Sequence, residues 1–132
     1  MPQIQQINVH VLTTDDNKED SRFELDVIVG NANIYHVAAG EGEDWDDGDE
    51  RDFDGLGNAA VGEDTPVKVI AALQDGPWGR SNHWNCQITV VVNTDDGRKL
   101  MWDRTCAFRT RSSRRRHSIN FGTRTLRIHG HR

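Results

Sequence analysis

The fold is decided by residues 84–108, which read WNCQITVVVNTDDGRKLMWDRTCAF. In the first half of this segment every second residue is apolar, and these residues are Trp84, Cys86, Ile88, Val90 and Val92. A period of two residues is typical of a β-strand with one buried face. The pair Asp96-Gly97 follows, and glycine tolerates the positive φ that tight hairpin turns require. The segment therefore predicts an antiparallel hairpin centred near Asp96.

The two cysteines occupy matching places in this hairpin. Residues equally distant from the turn pair across the strands, which places Cys86 opposite Cys106. The pairing permits a disulfide, although a bridge directly across two strands is strained. Two buried thiols that pack as small apolar groups satisfy the same pattern.

The same period continues outward along the chain, and helical periodicity is hard to find. Clusters of Gly, Asp and Asn separate the apolar runs. Strands are predicted around residues 7–11, 23–29, 34–38, 67–73, 84–92, 100–108 and 118–128. Seven or eight short strands predict an all-β, antiparallel β-sandwich. A length of 132 residues suits a single domain, residues 1–132, with a core of about residues 4–128.

Charge is divided sharply along the chain. Residues 1–103 contain all 21 acidic side chains and seven basic ones, a net charge of −14. Residues 104–132 contain nine arginines and no acid, a net charge of +9. Such asymmetry speaks about partners rather than about the fold. The acidic part attracts a cation and the basic part a polyanion, or the two parts pair with each other.

Long polar segments interrupt the predicted strands. An acidic segment covers residues 40–64, a Gly/Pro-rich loop covers 75–83, and an arginine-rich segment covers 109–117. Calcium takes roughly six to eight oxygen ligands from carboxylates and carbonyls, and the acidic segment provides both, although without EF-hand spacing. The candidate ligands are Asp44, Asp46, Asp47, Asp49, Asp52 and Asp54. The alternative is a solvated segment, or one that pairs with the arginines.

The four tryptophans divide into two classes. Trp84 and Trp102 belong to predicted strands and are expected in the core. Trp45 and Trp78 are predicted on loops, where a ring inserts into a lipid interface, stacks on a sugar, or covers the open end of the sandwich. Acidic residues beside Trp45 repel anionic lipid unless a cation neutralises them. Calcium binding and surface binding therefore form one hypothesis.

The order of these segments resembles a PLAT domain, the lipoxygenase-homology β-sandwich. The resemblance rests on INVHVLTT at residues 7–14, WDDG at 45–48, VKVI at 67–70, HWNCQITV at 83–90 and CAF at 106–108, and it covers about residues 4–128. It implies a sandwich with a calcium site at its loop tips, of the kind found in lipid-binding sandwiches. The chain departs from the family at residues 19–22, where EDSR replaces the usual Gly-Thr-Asp, and in its arginine run.

The arginine-rich segment has two interpretations. Its candidate binding residues are Arg109, Arg111, Arg114, Arg115 and Arg116. A planar guanidinium suits phosphate oxygens, but nucleic acid is not expected because the whole chain is acidic and only Phe108 and Phe121 flank the run. The favoured interpretation is pairing with the acidic segment, within one molecule or across a homo-oligomer.

The sequence contains no nucleophile elbow, zinc-protease motif or phosphate-binding glycine loop, so an enzyme is not expected. No segment approaches the ~20 apolar residues of a membrane-spanning helix. The first residues lack the pattern of a signal peptide, which makes a cytoplasmic location the default.

We expect a non-catalytic binding module that attaches to a lipid or carbohydrate surface with calcium. The alternative is a protein-interaction or assembly domain in which the acidic and arginine-rich segments pair between subunits.

Overall fold

The computed structural model describes residues 1–16, 18–19, 21–75 and 82–129, which form two four-stranded antiparallel sheets packed as a sandwich. The predicted all-β antiparallel sandwich of about eight strands is confirmed. The elements are β1 (Ile4–Asp15), β2 (Arg22–Val29), β3 (Ala32–Ala39), β4 (Glu50–Leu56), β5 (Val67–Gln74), β6 (Asn82–Thr94), β7 (Lys99–Thr110), β8 (Arg116–Arg124) and the short helix α1 (Leu126–His129). Within these described ranges no helix has the length and apolarity needed to cross a bilayer.

The first sheet has the strand order β4-β1-β6-β7 and the second has the order β3-β2-β5-β8. The core lies between them because alternate side chains of each strand point inward. Trp84 and Trp102, predicted in the core, are 0% and 1% exposed. The indole N–H of Trp102 on β7 donates to the carbonyl oxygen of Gly122 on β8 at 3.1 Å. This bond joins the two sheets along one margin of the sandwich.

The β6–β7 hairpin has the predicted register. Gly97 adopts a φ of +88° in the turn, and Cys86 pairs with Cys106 across the two strands. Both thiols are free and buried. Burial raises the pKa of the Cys86 thiol, so it stays protonated at neutral pH. Buried and unbridged, the two side chains pack as small apolar groups.

Three predicted boundaries are wrong. The acidic segment 40–64 was expected to be one loop, but it contains β4, which pairs with β1. This edge strand, ERDFDGL, has little apolar alternation, and backbone hydrogen bonding to β1 holds it instead. The arginine-rich segment 109–117 is a connection only over residues 111–115, because β7 extends to Thr110 and β8 begins at Arg116. The last strand ends at Arg124 rather than at residue 128, and α1 follows it.

Four connections cross between the sheets at one end of the sandwich. They join β1 to β2, β3 to β4, β5 to β6, and β7 to β8. The strand registers place these junctions together: Asp15 pairs with Asn85 in the first sheet, and Gln74 pairs with both Arg22 and Arg116 in the second. We call this end the corner end, and it contains most of the candidate binding residues that the sequence predicted.

Candidate binding site at the corner end

The two oppositely charged stretches lie at opposite margins of the corner end. The β3–β4 connection, residues 40–49, is the acidic loop, and the β7–β8 connection, residues 111–115, is the arginine turn. Both sheets keep the same lateral order, so β3 and β4 form one margin and β7 and β8 form the other. With adjacent strands ~4.8 Å apart, three spacings separate the margins by about 14 Å.

A buried lysine positions the acidic loop. Lys18, in the β1–β2 connection, is 0% exposed. Its Nζ donates to the carbonyl oxygens of Glu19 (3.1 Å), Ser21 (2.7 Å), Gly40 (2.6 Å) and Glu43 (2.8 Å). Buried charge is tolerated only where polar groups replace water, and these carbonyls do so. An ammonium of the chain itself therefore ties the β1–β2 connection to the acidic loop, and no sequence pattern indicated this role.

Trp45 belongs to the acidic loop, but its side chain is buried in the core rather than exposed on the surface. The residue is 1% exposed, and its ring centroid lies 5.9 Å from Phe23 and 5.7 Å from Trp84. Its indole N–H donates to Glu43 Oε1 at 3.1 Å. The ring therefore covers the open end of the core, which is one of the alternatives given above, and it is not placed on the surface as a ligand-contacting ring would be. Trp78, the second tryptophan expected on a loop, lies outside the described residues.

The six candidate calcium ligands fall into two groups. Asp44, Asp46, Asp47 and Asp49 belong to the acidic loop, whereas Asp52 and Asp54 lie on β4. Asp49 Oδ2 accepts from the backbone N–H of Asp46 at 2.8 Å and shapes the turn. In the part of the chain that the structure describes, no group of three or more His, Cys, Asp or Glu side chains is arranged to hold a metal ion.

The two aspartates on β4 take part in a polar network on the outer face of the first sheet. His10 Nδ1 lies 2.7 Å from Asp52 Oδ1, and His10 Nε2 lies 3.0 Å from Glu50 Oε1. Asp54 Oδ1 accepts from Asn8 Nδ2 at 2.7 Å. The sequence prediction missed this network because it assigned Glu50, Asp52 and Asp54 to a loop. Their carboxylates are paired across β1 and β4, away from the acidic loop.

The five candidate arginines also separate. Arg109, in β7, donates from Nη2 to Asn85 Oδ1 at 2.9 Å, and Arg116, in β8, donates from Nη1 to Glu24 Oε1 at 2.9 Å. Arg111, Arg114 and Arg115 are exposed on the arginine turn. Backbone hydrogen bonds of 2.9 Å and 2.8 Å in both directions between Arg111 and Arg114 close this turn.

A chain of ion pairs crosses the second sheet near the corner end. Arg22 Nη1 lies 3.5 Å from Glu41 Oε1 in the acidic loop, and Arg22 Nε donates to Glu24 Oε2 at 2.7 Å. Glu24 also accepts from Arg116. Burial is the largest influence on the pKa of Glu24 and raises it, but hydrogen bonds and charge from Arg22 and Arg116 together outweigh burial and lower the pKa. Glu24 therefore remains ionised between two guanidinium groups.

No protein-family model matches the chain, and no curated protein matches it. The resemblance to PLAT domains therefore depends on the sequence segments named above.

Replacing Lys18 with methionine tests how much its ammonium group contributes to stability. Lys18→Met keeps a long side chain but leaves the four carbonyl oxygens without their donor, so we expect the free energy of unfolding to fall by about 2–4 kcal/mol. Urea denaturation measures the change. Lys99→Met, at an exposed position, is the control and is expected to change it by less than about 0.5 kcal/mol. Equal effects of the two substitutions would contradict the structural role of Lys18.

Glu24→Gln tests the ion-pair chain through its pH dependence. A lowered folded-state pKa means that ionised Glu24 adds stability above its unfolded pKa, and that this stability is lost as pH falls through the folded pKa. The two arginine side chains are 37% and 42% exposed and are partly screened, so we expect a loss of about 1–2 kcal/mol at pH 7.

The difference in stability between the wild type and Glu24→Gln is expected to shrink in urea denaturation at about pH 3. Asp47→Asn, which neutralises an exposed carboxylate of the acidic loop, is the matched control. A difference that stays the same from neutral to acid pH would show that the charge of Glu24 is not what stabilises the sheet.

Proposed function

We propose that this protein is a non-catalytic assembly module, in which the acidic loop and the arginine turn pair between subunits. The observation that supports this most directly is the placement of the two charges. Both lie on one end of the sandwich and both are exposed, yet about three strand spacings separate them. The strand order places the two connections at opposite margins, so we expect their exposed complementary charges to be available to another subunit.

Contacts within the chain fix the backbone of both charged stretches without a partner. Lys18 binds two carbonyl oxygens of the acidic loop, and the N–H of Gly48 donates to the carbonyl oxygen of Thr13 at 2.8 Å. The arginine turn is closed by its own backbone bonds between Arg111 and Arg114. Side chains presented on a fixed backbone lose less conformational entropy on association. This rigidity supports an interaction surface rather than a pair of solvated loops.

Association through exposed charges has a characteristic strength and salt dependence. A single exposed ion pair contributes roughly 0–1 kcal/mol, so a useful interface requires several pairs at once. Complementary charged patches mainly accelerate encounter and select orientation. Exposed charges are also screened by salt, with a Debye length of about 8 Å at physiological ionic strength. The proposal therefore requires association that weakens as salt rises.

Analytical ultracentrifugation of the wild-type chain at about 50 mM and about 500 mM salt tests the proposal. We expect the average mass to rise with protein concentration at low salt and to return towards the monomer at high salt. Neutralising the turn with Arg111→Gln and Arg114→Gln is expected to abolish the effect. Lys99→Gln, which neutralises an exposed lysine at the opposite end of β7, is expected to preserve it. A monomer under every condition would reject the assembly function.

Calcium-dependent attachment to a lipid or carbohydrate surface is the second candidate function. It is favoured by the exposure of Asp44, Asp46 and Asp47 on one loop whose bends at Gly42 and Gly48 have φ values of +79° and +90°. Lys18 already binds two carbonyl oxygens of this loop. Calcium would therefore bind through carboxylates and water, as its flexible coordination allows. With Trp45 buried, this proposal assigns contact with the surface to Trp78.

Calorimetric titration of calcium into chelator-treated protein tests the second candidate. Saturable heat is expected for the wild type, and its loss is expected in the double variant Asp44→Asn with Asp47→Asn. The double variant Asp52→Asn with Asp54→Asn removes the same charge from β4 and is expected to bind as the wild type does. Absence of saturable heat from the wild type would reject calcium binding, and loss in both variants would reject a site confined to the acidic loop.

A further inference from the structure

We infer that the partner of the corner end is a second copy of the same chain, joined end to end about a two-fold axis. This inference depends on the assembly function proposed above and specifies its geometry. In the pair, the acidic loop of each copy faces the arginine turn of the other. The contact between opposite charges is therefore made twice.

The placement of both charges on one end makes the corner end self-complementary. A two-fold axis that lies in the plane of this end, perpendicular to the line between its margins, brings the two ends face to face. The same rotation exchanges the margins, so the acidic loop of one copy meets the arginine turn of the other. Rotating one copy by half a turn about the long axis of the sandwich instead sets acid against acid. Charge repulsion therefore disfavours that second orientation.

The same placement limits the assembly to two subunits. An interface that uses one patch on both subunits closes on itself, whereas patches at opposite ends of a molecule add subunits without limit. Here the acidic loop and the arginine turn share the corner end. The opposite end contains the β2–β3, β4–β5 and β6–β7 connections. Association should therefore stop at a dimer.

Specific side chains can make these contacts. Arg111 and Arg114 are exposed at the two ends of the closed turn, and Asp44 and Asp47 are exposed on the acidic loop. Guanidinium groups bind carboxylates in a planar, two-bonded geometry, which gives orientation as well as attraction. Each margin then contains two arginine–aspartate pairs, and the two-fold axis doubles them to four. Several pairs are needed because a single exposed pair is weak.

Exchanging the charges tests the geometry. The first variant, Arg111→Glu with Arg114→Glu, is acidic at both margins, and the second, Asp44→Arg with Asp47→Arg, is basic at both margins. Because each variant sets like charge against like charge in a symmetric pair, we expect each to weaken self-association at low salt by about tenfold or more. An equimolar mixture restores both contacts and is expected to form a one-to-one heterodimer. The positions are exposed, and circular dichroism with thermal unfolding checks that each variant is folded.

Ultracentrifugation of the wild type, each variant and their mixture gives distinct outcomes. A wild-type dimer, two monomeric variants and a dimeric mixture support the two-fold pairing. Salt-sensitive assemblies larger than a dimer, or a mixture that stays monomeric while the wild type associates, overturn the two-fold geometry but leave pairing between subunits intact. A wild type that stays monomeric at low salt overturns both the geometry and the assembly function.

Discussion

The corner end depends on an aromatic cluster around Trp84. The ring of Trp84 lies 5.9 Å from Phe23, 5.7 Å from Trp45 and 5.5 Å from Phe108. These rings come from β6, β2, the acidic loop and β7. The buried cluster therefore joins both sheets and one of the connections. Buried aromatic pairs contribute roughly 0.5–1.5 kcal/mol beyond their area. The cluster packs at the corner end, where Trp45 links the acidic loop to rings of both sheets.

Charge is handled in three different ways above this cluster. Lys18 is buried and surrounded by carbonyl oxygens, and it organises the backbone as an ion would. Glu24 is nearly buried between two arginines on the second sheet, where it acts as a structural carboxylate. The acidic loop and the arginine turn remain exposed. In the proposed assembly the exposed side chains of Asp44, Asp47, Arg111 and Arg114 are the charges that meet a partner.

A strongly dipolar end has consequences that the net charge of −5 conceals. Opposite charges held about 14 Å apart by three strand spacings attract weakly through water, because screening acts over a similar length. The rigid sandwich thus keeps them from neutralising each other, whereas a flexible chain would allow contact. In the proposed dimer, complementary charge of a second subunit would lie directly against each stretch. The fold and the proposed assembly therefore follow from the same constraint, which is the fixed lateral order of the strands.

The sequence by itself determined the sandwich and the β6–β7 register, because alternation and the Asp96-Gly97 turn are local signals. It did not reveal β4, whose hydrogen bonds come from β1 some 40 residues earlier in the chain. Nor did it distinguish a buried Trp45 from an exposed one, since a loop residue enters the core only where the assembled sheets leave space. Only the tertiary structure decided that Lys18 would bind the acidic loop and that both charged stretches would share one end. Both depend on groups distant in sequence that meet only after the two sheets pack together.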